Sequence, residues 1–413
     1  MTDRMQSYRA KSVILLVALL CAVIAAAAFQ YKLNASWVAS LERLETAEFA
    51  PDDVRNYRWA KGGSLRDILA PDTPLKPPVY PVYLFAADAL GADDIRYANL
   101  AVLLFLMGLV VAIAAKSLST VETVFLALFV TAFVPFYSSA ILLISYPLFL
   151  ITALACFLAT VSYCRNPGRA QLMVLSMCLA VACFTHYIGL LWLLPVSLIC
   201  IALLYRDDWR TLLKHWLVLS LIALPPTLIF MFSGDQEPGA IAGMDRFARI
   251  RVDGYSWWLS FGETLRDFLT TFVDDFSTLV TSHYAAGYQD HWLEYLLNTP
   301  LLLSAGFLFY SGIRKTFKPA IAMQGSEAGD AQVYWLVAAA YLASYVFVIL
   351  AFWPVSSNDP LYTRFLLGIY PFVFMFVARG YSLMREQRPG YLLWFQIALA
   401  GLLLVQVYKL LRY

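Results

Sequence analysis

Apolar residues along the 413-residue chain gather into blocks of about twenty, separated by short polar turns and by two long mixed segments. Twenty residues of helix rise about 30 Å, the thickness of a bilayer's hydrocarbon core, so each block predicts a membrane-spanning helix. The blocks fall at 12–31, 97–115, 121–138, 142–163, 170–185, 187–205, 214–233, 298–313, 332–353, 362–379 and 391–410. The expected fold is all-α, a single polytopic membrane domain over residues 1–413 with about eleven transmembrane helices. The count changes most easily by one at the close pair around His186.

Composition agrees with the blocks. Hydrophobic residues make up 61% of the chain and charged ones 14%, against about a quarter charged in a soluble domain. Basic residues collect in the short turns of one side: Lys116, Arg165 with Arg169, Arg206 with Arg210, Arg314 with Lys315 and Lys318, and Arg379 with Arg385 and Arg388. The positive-inside rule makes that side cytoplasmic. Arg4, Arg9 and Lys11 precede a first apolar run too long for a signal peptide, so the N-terminus is expected in the cytoplasm and the run retained. Segments 32–96 and 234–297 then face the opposite side, as does the turn 354–361. Lys409 and Arg412 also fall there, against the rule.

The long segments are patterned. Trp37, Leu41 and Leu44 recur at helical spacing, which predicts a helix lying in the interface. Pro51 opens a short helix from Asp52 to Lys61, stopped by Gly62-Gly63. Ser64 is a plausible N-cap for a further turn ending at Pro71, and a Pro-punctuated passage leads into an apolar stretch ended by Gly91. Segment 234–297 carries Trp257, Trp258, Tyr284, Tyr288 and Trp292 among mixed charges, as expected at a membrane surface.

Within this frame a few polar residues have the means for chemistry. Asp52 and Asp53 open a predicted helix just beyond the first span, with Arg55 and Tyr57 one turn on. The helix N-terminus and Arg55 both favour ionised carboxylate. Such a carboxylate, facing a cleft, can take a proton from a hydroxyl; a pair of acids at a helix start equally serves as its cap. Lys76 precedes Pro77-Pro78, which stiffen the backbone around its ammonium. A fixed ammonium suits a phosphate leaving group, although a lysine beside lipid headgroups also simply reaches for water. Arg364 opens the tenth block and is a second cation for phosphate, or a partner of Asp359.

His186 and Tyr187 fall in a turn on the same side, and His283, Tyr284 and His291 in the second long segment. Their spacing fits no metal-ligand motif, and the six cysteines lie in or beside apolar runs, which argues against disulfides and structural zinc. No cofactor is predicted, and a divalent metal lacks support. Asp274-Asp275 is an acidic pair with no further signal.

Together these pieces resemble the GT-C superfamily of membrane glycosyltransferases, in the branch with protein O-mannosyltransferases and the aminoarabinose transferases of lipid A. The branch has an acidic pair followed by Arg or Tyr in its first outer loop, here Asp52-Asp53-Val54-Arg55-Asn56-Tyr57. A Lys- or His-Pro-Pro-hydrophobic-Tyr element follows, here Lys76-Pro77-Pro78-Val79-Tyr80. Arg364-Phe365-Leu366 with Pro371 is similar to a late-span motif, and Thr185-His186-Tyr187-Ile188-Gly189 to a recurring outer turn. The second acid is often Glu and is Asp53 here. An Arg at +3 aligns Asp52 with the catalytic aspartate and a Tyr at +4 aligns Asp53. The soluble C-terminal domain of larger relatives is not expected after the last span.

The resemblance implies transfer of a sugar from a polyprenyl-phosphate donor to an extracytoplasmic lipid, glycan or protein, by an integral protein of a bacterial inner membrane. Asp52 or Asp53 would be the base, and Lys76, Arg364, Arg55, Tyr57, Tyr80 and His186 would bind substrate or phosphate. Two rivals stand beside it. An envelope polysaccharide polymerase or ligase would use pyrophosphate carriers and late-loop arginines such as Arg246, Arg249 and Arg251. A transporter or flippase would carry charge near the middles of its spans, which are nearly free of it here.

Overall fold

The computed structural model describes residues 2–35, 52–69, 77–91, 94–115, 118–204, 208–232, 256–277, 292–322, 330–355 and 363–412. Among them every regular element is a helix. In chain order these are α1 (Thr2–Ala35), α2 (Asp52–Gly62), α3 (Leu65–Leu69), α4 (Val79–Ala89), α5 (Arg96–Ala115), α6 (Thr120–Ala132), α7 (Val134–Ile141), α8 (Tyr146–Arg165) and α9 (Arg169–Thr185). They continue as α10 (Ile188–Leu191), α11 (Leu193–Leu204), α12 (Trp209–Phe232), α13 (Trp257–Ser277), α14 (Trp292–Ala322), α15 (Asp330–Phe352), α16 (Thr363–Leu366), α17 (Tyr370–Gln387) and α18 (Leu392–Arg412).

Among the described residues, six helices are long and apolar enough to cross a membrane, or seven if the bent pair α6–α7 is one span. The expected number was about eleven. Four of the other five blocks are short or interrupted, and the fifth, 298–313, lies within the 31-residue α14. Helix α9 has 17 residues, and the block at 187–205 is broken at Trp192 into α10 and α11. The block at 121–138 bends by 43° at Phe133, where Pro135 removes a backbone donor just after the break. The tenth block is likewise divided. Thr363–Leu366 forms a separate turn, and α17 begins at Tyr370 with Pro371 in its first turn. Arg364 therefore sits on its own short helix and not on the span.

Sequence signals set several other ends. Ser119 and Glu122 form a reciprocal capping box at the start of α6. Gly91, which closes the passage after α4, has φ +83°, a conformation glycine adopts without steric cost. Gly312 and Gly380 let α14 and α17 touch backbone to backbone. A Cβ on Gly312 would run into the Phe376 carbonyl, and one on Gly380 into that of Leu308.

The core is aromatic where the spans converge. Phe129, Phe133, Phe276, Tyr370 and Phe374 form one packed cluster. Polar side chains inside it satisfy one another: the Tyr341 hydroxyl lies 2.8 Å from Thr160 Oγ1 and 3.1 Å from Ser197 Oγ, and Trp192 Nε1 donates to the Tyr341 carbonyl at 2.9 Å.

Candidate active site at one end of the bundle

Helix α2 begins at Asp52, so the first turn holds Asp52, Asp53 and Arg55. The side chains of residues 52–55 lie outside the described ones, as do that of Arg364 and the whole of Lys76. The backbone that carries residues 52–55 and Arg364 is described, and its neighbours fix it.

Asn56 is 1% exposed, and its Nδ2 donates to the Leu143 carbonyl at 2.7 Å. Leu143 lies in the connection between α7 and α8 with φ +48°, the left-handed region. A residue there costs about 1–2 kcal/mol relative to the right-handed form. The conformation is held because the Leu143 side chain is fully buried in a small cluster with Tyr57, Ala60, Tyr80, Leu84 and Ile95. That cluster clamps α2 onto α4. Asn99 Nδ2 donates to the Tyr80 hydroxyl at 2.9 Å, and that hydroxyl lies 3.2 Å from Asn99 Oδ1, to which it can donate. Asn99 Nδ2 also donates to the Ala140 carbonyl at 2.6 Å. The Lys61 ammonium meets the Asp88 carboxylate at 2.5 Å, closing the far end of the α2–α4 pair. This contact holds the Lys61 ammonium above the usual lysine range through the hydrogen bond to Asp88.

Two expected substrate contacts, Tyr57 and Tyr80, are thus placed in the packing beneath α2, at 6% and 1% exposure. Pro77 and Pro78 are buried as well, and α4 starts directly after them.

Three residues beyond Leu143, the Tyr146 ring lies 4.8 Å from the His186 imidazole and 5.8 Å from the Phe365 ring. His186 follows the last residue of α9. Its Nδ1 accepts the Ile188 amide at 3.2 Å, so the neutral ring carries its proton on Nε2. Phe149 flanks the same ring at 5.3 Å. The turn is tight because Gly189 passes the backbone of Cys183, where a Cβ would approach to 3.0 Å. Beside it, burial pushes the Tyr187 hydroxyl up to about 12.

Phe365 is held between Tyr146 and Trp353, whose ring is 4.3 Å away, and Tyr345 donates to the Phe365 carbonyl at 2.8 Å. The residue before it is Arg364. One buried connection, Leu143 to Tyr146, therefore links the helix that starts with the acidic pair, the His186 turn and the helix that carries Arg364. Lys76, Asp359, His283, Tyr284, His291, Arg246, Arg249, Arg251 and the Trp37–Leu44 pattern lie outside the described residues.

Sequence reasoning missed the residues that make this assembly. Asn56 sits inside the quoted motif, but between Arg55 and Tyr57 nothing in the sequence marks it as buried. Nothing in the sequence marks Leu143 or Tyr146. Asp275, noted only as half of an acidic pair, is buried and accepts a hydrogen bond from the Tyr370 hydroxyl.

Among the described residues no group of three or more His, Cys, Asp or Glu could hold a metal ion, and all six cysteines are free. An apolar cavity of about 260 Å³ lies between α6, α14, α17 and α18, lined by Phe125, Phe129, Phe276 and Phe374 among others. It includes no residue of α2, α4 or the His186 turn.

No family model matches the sequence, and no curated protein does. One of the matching solved structures shares the fold over nearly the whole chain. ArnT from Cupriavidus metallidurans bound to undecaprenyl phosphate superposes with a TM-score of 0.56 at 13% identity, over 96% of this chain and 76% of that one. The apo state of the same protein gives 0.46 at 15% identity, over 86% of this chain and 70% of that one. This chain has the fold of that bound form.

Proposed function

We propose that the chain is a GT-C-type glycosyltransferase that moves a sugar from a polyprenyl-phosphate donor to an extracytoplasmic acceptor. The observation that carries this reading is the convergence at Tyr146. The acidic pair opens a helix fixed to the turn that supplies this ring, and the ring touches both His186 and the neighbour of Arg364. A fold shared with a protein crystallised with undecaprenyl phosphate supports a polyprenyl phosphate as the lipid partner.

In this proposal Asp52 or Asp53 accepts the proton of the acceptor hydroxyl as oxygen attacks the anomeric carbon, and the carbon–phosphate oxygen bond breaks. The helix N-terminus favours the ionised acid beforehand. Lys76 and Arg364 stabilise charge growing on the departing phosphate, where fixed cations act most strongly in a partly dry cleft. Tyr57 and Tyr80 act by holding α2 in place, and the Nε2–H of His186 supplies a donor. The apolar cavity is a suitable slot for hydrocarbon, away from the chemistry.

The test is reconstitution of the purified protein with sugar-loaded polyprenyl monophosphate and, separately, polyprenyl pyrophosphate. Release of free polyprenyl phosphate from the first donor alone is the expected result. Consumption of the pyrophosphate donor alone would favour a polymerase or ligase, and movement of either lipid without bond cleavage would favour a flippase.

A further inference from the structure

At the end of the bundle that carries Lys32, the carboxyl ends of two helices are closed by side chains of their neighbours. The last carbonyls of an α-helix have no partner within it, and where they are buried in packed protein water does not reach them. Helix α13 ends in this position. Lys409 Nζ donates to the Asp274 carbonyl at 2.5 Å and the Asp275 carbonyl at 3.2 Å. Gln406 Nε2 donates to the Asp275 and Phe276 carbonyls at 2.7 and 3.1 Å. The other face of the same amide, Gln406 Oε1, accepts the Val134 amide at 3.4 Å, the first N–H of α7. One side chain thus serves a helix end and a helix start.

Helix α18 supplies both residues and is closed in the same way. Lys32 Nζ donates to the Lys409 carbonyl at 3.2 Å, and the Tyr31 hydroxyl to the Leu411 carbonyl at 2.7 Å. Lys32, Gln406 and Lys409 are 5%, 0% and 1% exposed. Long cationic side chains this deep are costly unless their donors are used. An ammonium against the negative end of a helix dipole is a favourable use. It also accounts for a lysine at the outer end of α18 despite the charge asymmetry of the loops, since Lys409 is packed inside the bundle.

We infer that Lys32, Gln406 and Lys409 form a relay of helix caps that positions the two halves of the candidate site relative to each other. One end of the relay is α7, whose first amide meets Gln406 Oε1 and whose carboxyl end leads through Leu142 to Leu143, the residue that holds Asn56. The other is α13, which packs against both α16 and Trp353–Val355. Its Asp275 carboxylate also takes the Tyr370 hydroxyl at the start of α17, so α13 is tied to both sides of Arg364. These are positioning residues and not catalytic ones. The functional part of the inference rests on the glycosyl-transfer reading.

The full chain is tested as Lys409→Met, Lys409→Arg and Gln406→Leu, with kcat and donor KM measured well below each thermal midpoint. Lys409→Met is expected to lower kcat/KM by about a hundredfold, the scale of a small misplacement at a distance, and Lys409→Arg to recover most of it. A purely structural role would lower the thermal midpoint and leave kcat/KM of the folded fraction unchanged, which would overturn the inference. Hydrogen exchange supplies an arm independent of the reaction. The last turn of α13 and helix α16 should both exchange faster in Lys409→Met, and unchanged exchange in α16 would overturn the inference too. If Lys409→Met does not fold, Gln406→Leu carries both measurements. A wild-type protein that cleaves no lipid-phosphate sugar defeats the functional reading, while the exchange result still decides the relay.

Discussion

The amide of Asn56 donates to the carbonyl of Leu143, joining the helix that opens with two aspartates to a turn 87 residues later in the chain. Together with the buried cluster around Leu143 and the Lys61–Asp88 pair, that bond holds α2 over the bundle. Replacing Asn56 with Ala leaves a buried carbonyl without its donor, a cost of about 1–3 kcal/mol. Transfer activity is expected to fall well beyond the loss of folded protein, as read by thermal unfolding beside turnover.

Leu143 presents two opposed effects. Glycine there relieves about 1–2 kcal/mol of left-handed backbone cost. It also removes a fully buried side chain, for which truncation costs about 2–5 kcal/mol. The second term is larger, so Leu143→Gly should lower the thermal midpoint. A raised midpoint would show that the packing around Tyr57 and Tyr80 contributes less than the burial of Leu143 implies.

The fold was legible where apolar runs are long and uninterrupted. The helices at 96–115, 146–165 and 332–352 follow the expected blocks within a few residues. It was less legible at Phe133, Trp192 and Leu366, where an apolar run continues while the helix breaks, because hydropathy does not record a bend. The short helix from Asp52 was readable from Pro51 and the Gly pair, for these act locally. Its anchor was not, since the Leu143 carbonyl is available only through a backbone conformation that leucine rarely adopts. Lys409 was visible only as an exception to loop charge, and its partners are backbone carbonyls, which no side-chain pattern reveals.

Tyr146 touches both His186 and Phe365. A double-mutant cycle with Tyr146→Leu and Phe365→Leu should give a coupling of about 0.5–1.5 kcal/mol in thermal stability, typical of aromatic pairs. Strict additivity would remove the link between the α7–α8 turn and the helix of Arg364.

Gly380 and Gly312 bring α14 and α17 into backbone contact. Adding one methyl at Gly380 must push the helices apart, at about 1–3 kcal/mol for an overpacked site. Gly380→Ala should lower the thermal midpoint in detergent, whereas Gly306→Ala, which meets open space, should leave it near wild type.

The most direct measurement is turnover of a polyprenyl-phosphate sugar by Asp52→Asn, Asp53→Asn and the double variant, each checked for folding. If either acid is the base, one single variant and the double variant should lose about 10²–10⁴ in rate, the range of general-base catalysis. Wild-type turnover in all three would contradict the assignment of these acids and the site built around α2.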